Sequence, residues 1–180
     1  MENFDFSTLC DDVVTASKKA FSEIAARQPD DELCAFALYS DSGAMTICPA
    51  MCTASFLAAK AQEEPDELPF YKYSPSEWPW EGEGASEAFK SICTTVREQV
   101  FSIEDDEEAF DAFKRQLIET CIKAQLRLRH EFFEPRDKNL LLLVTISDDD
   151  EPAAELQSRV ERLNDSTQSA EFAAWAETWA

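Results

Sequence analysis

What this 180-residue chain has least of is histidine, with one, glycine, with three, and positive charge, with 16 basic residues against 37 acidic ones. Each scarcity removes a class of activity. With His130 alone, a Cys–His nucleophile pair would depend on one imidazole at the end of a basic helix, a place that favours a cation on electrostatic grounds. Three glycines cannot make a phosphate loop. Gly82-Glu83-Gly84 lacks the third glycine and preceding strand of a dinucleotide fingerprint, and sets a carboxylate where a phosphate would sit. A formal net charge of −21 repels phosphate backbones and anionic lipid, so neither nucleic acid nor a membrane surface is an expected partner. The apolar run Leu140 to Val144 falls far short of the roughly 20 residues that span a bilayer. MENFDFSTLCDDVV shows no basic stretch and no unbroken apolar core of a signal peptide, which predicts a cytoplasmic location and reduced thiols.

Metal chemistry is also thinly supplied. No Cys-x-x-Cys pair occurs; Cys48, Cys52 and Cys34 on the facing strand offer three thiols to zinc without a fourth ligand. Asp148 to Glu151 lacks the spacing and glycine of an EF-hand, and reads as a solvated turn. No catalytic residue, metal site or cofactor is assigned on these grounds.

What the chain does have is a core. Hydrophobic residues make up 44%, thirteen of the residues are phenylalanine, and the mean hydropathy is −0.36. A domain of this size buries roughly 70% of its unfolded surface, so residues 1–180 are expected to form one domain. Phe6, Leu9, Val13, Ser17, Ala20 and Ile24 recur at helical spacing before Pro29 stops the helix. Leu33 to Ser40 and Ala44 to Ala50 read as a hairpin. A Ser42-Gly43 turn pairing Asp41 with Ala44 puts Phe36 and Leu38 with Met45 and Ile47, which buries more than the register slipped by one. Thr53 then caps a helix to about Gln62. Further helices follow from Phe89 to Val100, from Asp105 to Phe132 behind a Ser102–Asp105 capping box, from Pro152 to Asn164, and from Ser169 onward with Phe172, Trp175 and Trp179 on one side. Asn139 to Ile146, NLLLLVTI, reads as a central strand covered on both faces. The expected fold is α+β: a small, largely antiparallel sheet of about four strands packed by several helices.

The chain is organised around Phe70 to Gly84, FYKYSPSEWPWEGEG. Leu68 to Ser74 reads as a short aromatic strand ended by Pro75, followed by a helical turn at Ser76 to Trp78; Gly82 and Gly84 permit positive φ, and Ser86 caps the next helix. Two tryptophans flanking Pro79 are either an aromatic clasp that packs a long connection onto the core or a recognition surface. The binding residues on the second reading are Tyr71, Tyr73, Glu77, Trp78, Trp80 and Glu81.

In the hairpin CAFALYSDSGAMTICPAMCT, the segment YKYSPSEWPWEGEG and the late strand NLLLLVTISDDD, the chain resembles a bacterial family known as domain of unknown function 4303. The resemblance covers nearly the whole chain, and its most specific piece is Ser74-Pro75-Ser76-Glu77-Trp78. It implies a small bacterial cytoplasmic protein and carries over no reaction and no catalytic residue.

An acidic, chemically sparse chain is expected to act as a non-enzymatic protein-binding module, immunity-like, neutralising a basic protein partner by charge and shape. The alternative is a small-ligand enzyme or hydrolase using Glu77 and Glu81 beside Trp78 and Trp80. That reading expects a deep cleft with convergent carboxylates. An acidic mimic of nucleic acid, with carboxylates at phosphate-like spacing along one face, is a third.

Overall fold

The computed structural model describes residues 4–134, 139–148 and 151–179. Asp5 opens helix α1 (Phe6–Arg27) by accepting the Ser7 and Thr8 N–H groups at 3.0 and 2.9 Å. These are donors that a first helical turn otherwise leaves bare. The stripe Leu9, Val13, Ser17, Ala20 and Ile24 is buried, as its spacing predicts. Strand β1 (Leu33–Ser40) leads to β2 (Cys48–Thr53), and Thr53 caps α2 (Ala54–Glu63) through the Phe56 N–H. Then come α3 (Leu68–Tyr73), a single turn at Pro75–Glu77, and the two-residue strand β3 (Trp80–Glu81). Helices α4 (Ser86–Ser102) and α5 (Glu107–Leu128), strand β4 (Leu141–Ile146), and helices α6 (Ala153–Leu163) and α7 (Ser166–Ala176) complete the order. Among the described residues no helix is long and apolar enough to cross a membrane.

The strands lie in the order β3-β2-β1-β4. β2 is antiparallel to both of its neighbours, but β1 and β4 are parallel, Ala35 facing Leu141 and Ser40 facing Ile146. The sheet is therefore mixed, not largely antiparallel. An apolar run carries no sign of its direction, and here the intervening helices form the long crossover that a parallel neighbour requires. Alternation along β4 splits its side chains between two cores. Leu140, Leu142 and Val144 join Phe36, Leu38 and Met51 under α1, α4 and α5. Leu141 and Leu143 join Ala35, Ala37 and Ala50 under α6 and α7. Both faces of β4 are covered, as its composition predicts.

Several local expectations are corrected. The hairpin turns later than Ser42-Gly43: Leu38 pairs with Pro49 and Phe36 with Met51. Residues 41–47 form a loop held by Asp41, whose carboxylate accepts the Met45 N–H at 3.0 Å and the Thr46 hydroxyl at 2.6 Å. Because Asp41 satisfies the loop's donors locally, β2 can start at Cys48, and Ile47 still reaches the core beside Phe36 and Leu38. The stretch expected as an aromatic strand is α3. Pro65 and Pro69 preset φ at successive helical starts, and so short a segment cannot distinguish alternation from one helical turn by periodicity.

Helix starts shift as well. Ser86 is the first residue of α4 rather than its cap; Ala85 precedes it at φ 49°, and the Glu23 carboxylate accepts the Ala85 N–H at 2.7 Å. Gly84, at φ +88°, is pressed so close to α1 that a Cβ there would stand 2.9 Å from Ala20 Cα. Asp106 caps α5 in place of Ser102, and Asp165 caps α7 in place of Ser169. At both starts an aspartate carboxylate accepts the N–H bonds and also complements the dipole. Of the acidic turn, Asp149 and Asp150 lie outside the described residues.

Among the described residues the outer edge of β4 has no neighbouring strand. Side chains from the following segment replace one. Asn164, at the end of α6, accepts the Leu142 N–H and donates to the Leu142 carbonyl, both at 2.8 Å. Arg159 donates to the Val144 carbonyl at 3.2 Å, and Glu151 accepts the Ile146 N–H at 2.9 Å. Arg159 and Glu151 also form an ion pair, with side chains only 9% and 4% exposed. An edge satisfied in this way offers no template to another strand.

Replacing this edge is expected to be costly. Asn164→Leu strips both partners from Leu142 and should lose about 3 kcal/mol in urea denaturation, whereas Asn164→Asp keeps the acceptor and should lose less. Arg159→Met leaves the Glu151 charge buried alone and should cost about 3–5 kcal/mol, much of it recovered in the Arg159→Met/Glu151→Gln double variant. Equal losses in the single and double variants would contradict the pairing.

Candidate functional site

The residues singled out between Tyr71 and Glu81 do not form one surface. Trp78 is 3% exposed, its indole N–H donates to the Tyr71 carbonyl at 2.9 Å, and it packs in the core beneath α6 and α7. It is a clasp. Tyr73 is also buried; its ring stacks on Trp175 with centroids 5.6 Å apart, and its hydroxyl donates to the Gln168 carbonyl at 3.3 Å. Burial, followed by the nearby Glu171 carboxylate, holds that phenol above its ordinary range. Tyr71 is half-buried, donates its hydroxyl to Glu64 at 2.9 Å, and has the Lys60 ammonium 4.3 Å from its ring centre. Trp80 packs against the core on the other face of the sheet. Glu77 and Glu81 are exposed, and Glu81 accepts the Tyr39 hydroxyl.

Tyr73 opens onto a cavity of about 180 Å³. Its base is the carboxyl end of the parallel pair: Tyr39 from β1, Thr145 and Ile146 from β4. One wall is the turn Ser74, Pro75 and Ser76; the other is Phe172, Trp175 and Trp179. Open parallel sheets commonly bind ligands beyond the carboxyl ends of their strands; here the one parallel pair, β1 and β4, supplies that end. Glu151 also lines it, but that carboxylate is already engaged by Arg159 and the Ile146 N–H. The hydroxyls of Ser74, Ser76, Thr145 and Ser147 have no protein partner among the described residues. The described lining thus combines aromatic and aliphatic side chains with unpartnered hydroxyls, and its one charged group, Glu151, is paired with Arg159.

Sequence reasoning reached Tyr73 and missed the α7 side of this cavity. Phe172, Trp175 and Trp179 are legible as one face of a helix, with rings in mutual contact at 4.6 to 6.0 Å. Nothing in their spacing says which strand ends they close over. Glu77 and Glu81 do not line the cavity.

The thiols do not gather either. Cys34 lies 3.6 Å from the Cys52 carbonyl, whereas Cys48, four positions along the strand and so roughly 13 Å from Cys52, neighbours Cys93 of α4. The Cys48 thiol first, then the Ile47 N–H and Arg97, lower Cys93 to about 6 against the opposing effect of burial. Among the described residues no three His, Cys, Asp or Glu side chains are grouped to hold a metal ion. His130 is exposed and faces Glu134 at 3.3 Å.

A family model described as "Domain of unknown function (DUF4303)" matches residues 13–165. The matched span holds the sheet, the Trp78 clasp and the side chains that close the β4 edge; α7 lies beyond it. No curated protein and no solved structure matches the chain.

If Trp78 is a clasp, its replacement is a stability change. Trp78→Ala should cost about 3–5 kcal/mol in urea denaturation, and Trp78→Phe, which keeps a ring but loses the donor to Tyr71, about 1–2 kcal/mol. A Trp78→Ala variant as stable as the parent would restore the recognition reading for that residue.

Proposed function

Since the chain belongs to the DUF4303 family, whose description assigns no reaction, we propose from its surface chemistry that it is a non-enzymatic module binding a basic protein partner. The observation that carries this reading is the connection between α2 and α4. Glu63, Glu64, Asp66, Glu67, Glu77, Glu81 and Glu83 are all exposed along it. The connection's one cation, Lys72, pairs with Glu171; Lys60 of α2 pairs with Glu63 and Glu64, and Arg27 of α1 with Glu83. Phe70 stands in the middle of this acidic tract, 38% exposed. An apolar anchor inside a field of one sign is the arrangement that steers and then holds a partner of opposite charge.

The specific form we favour is neutralisation of a basic protein in a bacterial cytoplasm, an immunity-like role. The enzyme reading, through Glu77 and Glu81, receives less support: neither residue lines the cavity, and Glu81 is engaged by Tyr39.

The test is affinity capture from the source cell with quantitative mass spectrometry, using the parent and a Glu63→Gln/Glu64→Gln/Asp66→Asn/Glu67→Gln variant. A basic protein should be retained by the parent, with recovery falling roughly tenfold in the variant. Recovery should fall comparably between about 50 mM and about 300 mM salt. A partner retained equally by both chains at both salt concentrations would overturn the reading.

A further inference from the structure

We propose that the cavity at the carboxyl ends of β1 and β4 receives a lysine or arginine side chain of the partner, an inference that rests on the binding-module reading. Such a side chain has two parts, an alkyl stem and a cationic head, and the cavity has a place for each. The stem meets Ile146, Leu156, Phe172 and Trp175 together with the Tyr73 ring. A volume of about 180 Å³ suffices, since an apolar cavity of roughly 150 Å³ admits a six-membered ring. The head stays at the mouth, where a cation keeps its hydration and aromatic neighbours add to its attraction.

The lining and its chain neighbours are chemically suited to a cation. The unpartnered hydroxyls of Ser74, Ser76, Thr145 and Ser147 all accept hydrogen bonds. Glu77 follows Ser76 in the chain, and Glu177 lies between Trp175 and Trp179; both are exposed and make no ion pair among the described residues. Glu81 sits on the Tyr39 hydroxyl. The nearby cations are already committed, Arg159 to Glu151 and Lys72 to Glu171 at 2.6 Å. Among the described residues no basic side chain lines the cavity, so a phosphorylated or carboxylated ligand meets no counter-charge from them. A neutral ligand would fill the interior but make no use of the exposed carboxylates, Glu77 and Glu177, that adjoin the lining residues in the chain.

The experiment uses the full chain labelled with ¹⁵N and follows the four indole N–H signals during titration with N-acetyl-argininamide and N-acetyl-lysinamide. N-acetyl-citrullinamide and N-acetyl-norleucinamide serve as neutral isosteres. The cationic amides should shift Trp175 and Trp179 saturably with Kd on the order of 1–10 mM, leaving the Trp78 indole, held by Tyr71, unmoved. The neutral amides should bind roughly tenfold more weakly. A Glu77→Gln/Glu177→Gln variant, altered only at exposed positions, should lose that preference while keeping its fold.

Three results would overturn the inference: no indole shift with any probe up to about 50 mM, neutral amides binding as well as cationic ones, or cationic binding unchanged in the double variant. A partner captured through the acidic tract while the indoles stay silent would sink the cavity inference alone. Saturable cation binding with no basic partner captured would leave the cavity and remove the partner reading.

Discussion

Backbone groups on the open side of β4 must find partners, and the way they do so arranges half of the molecule. A strand at a sheet edge normally presents its N–H and C=O groups to water or to another chain. Here Asn164, Arg159 and Glu151 meet Leu142, Val144 and Ile146 in succession, like the rungs of a missing strand. All three side chains come from the segment that follows β4, so satisfying the edge also fixes α6 against it. Helix α7 then starts at Ser166, directly after Asn164 and the Asp165 cap. The position of Phe172 and Trp175 over the carboxyl ends of the parallel strands is therefore a consequence of how the edge is closed.

The buried ion pair within that edge is a structural element. Arg159 and Glu151 compensate one another and also bond to backbone, which is the condition under which a pair so far from water is tolerated. Glu151 lines the cavity as a wall whose charge is already spent. This separates the cavity, whose described lining carries no unpaired charge, from the α2–α4 connection, where exposed carboxylates predominate.

The same division runs through the Phe70 to Gly84 stretch. Its aromatic residues serve mainly to pin a long connection: Trp78 beneath, Tyr73 against α7, Trp80 across the sheet. Its carboxylates remain outside and set the field that a partner would meet. One segment thereby carries two kinds of side chain: Trp78 and Tyr73 are buried, whereas Glu77 and Glu81 stand at the surface.

What could be read from the chain alone was whatever depends on near neighbours. The stripes of α1, α4 and α5, the Thr53 cap, the stop at Asn164, the two-sided burial of β4 and the excess of negative charge all follow from composition and spacing over a few residues. The direction of β4 beside β1 did not, because alternation reads the same forwards and backwards. The delayed hairpin depended on Asp41 folding back on its own loop, and the helical form of α3 on two prolines whose effect competes with aromatic alternation. The cavity depended most on tertiary structure. Tyr73 and Trp175 are about a hundred residues apart and meet only because α6, held to an open strand edge by side chains, carries α7 over the sheet; no local pattern contains that distance.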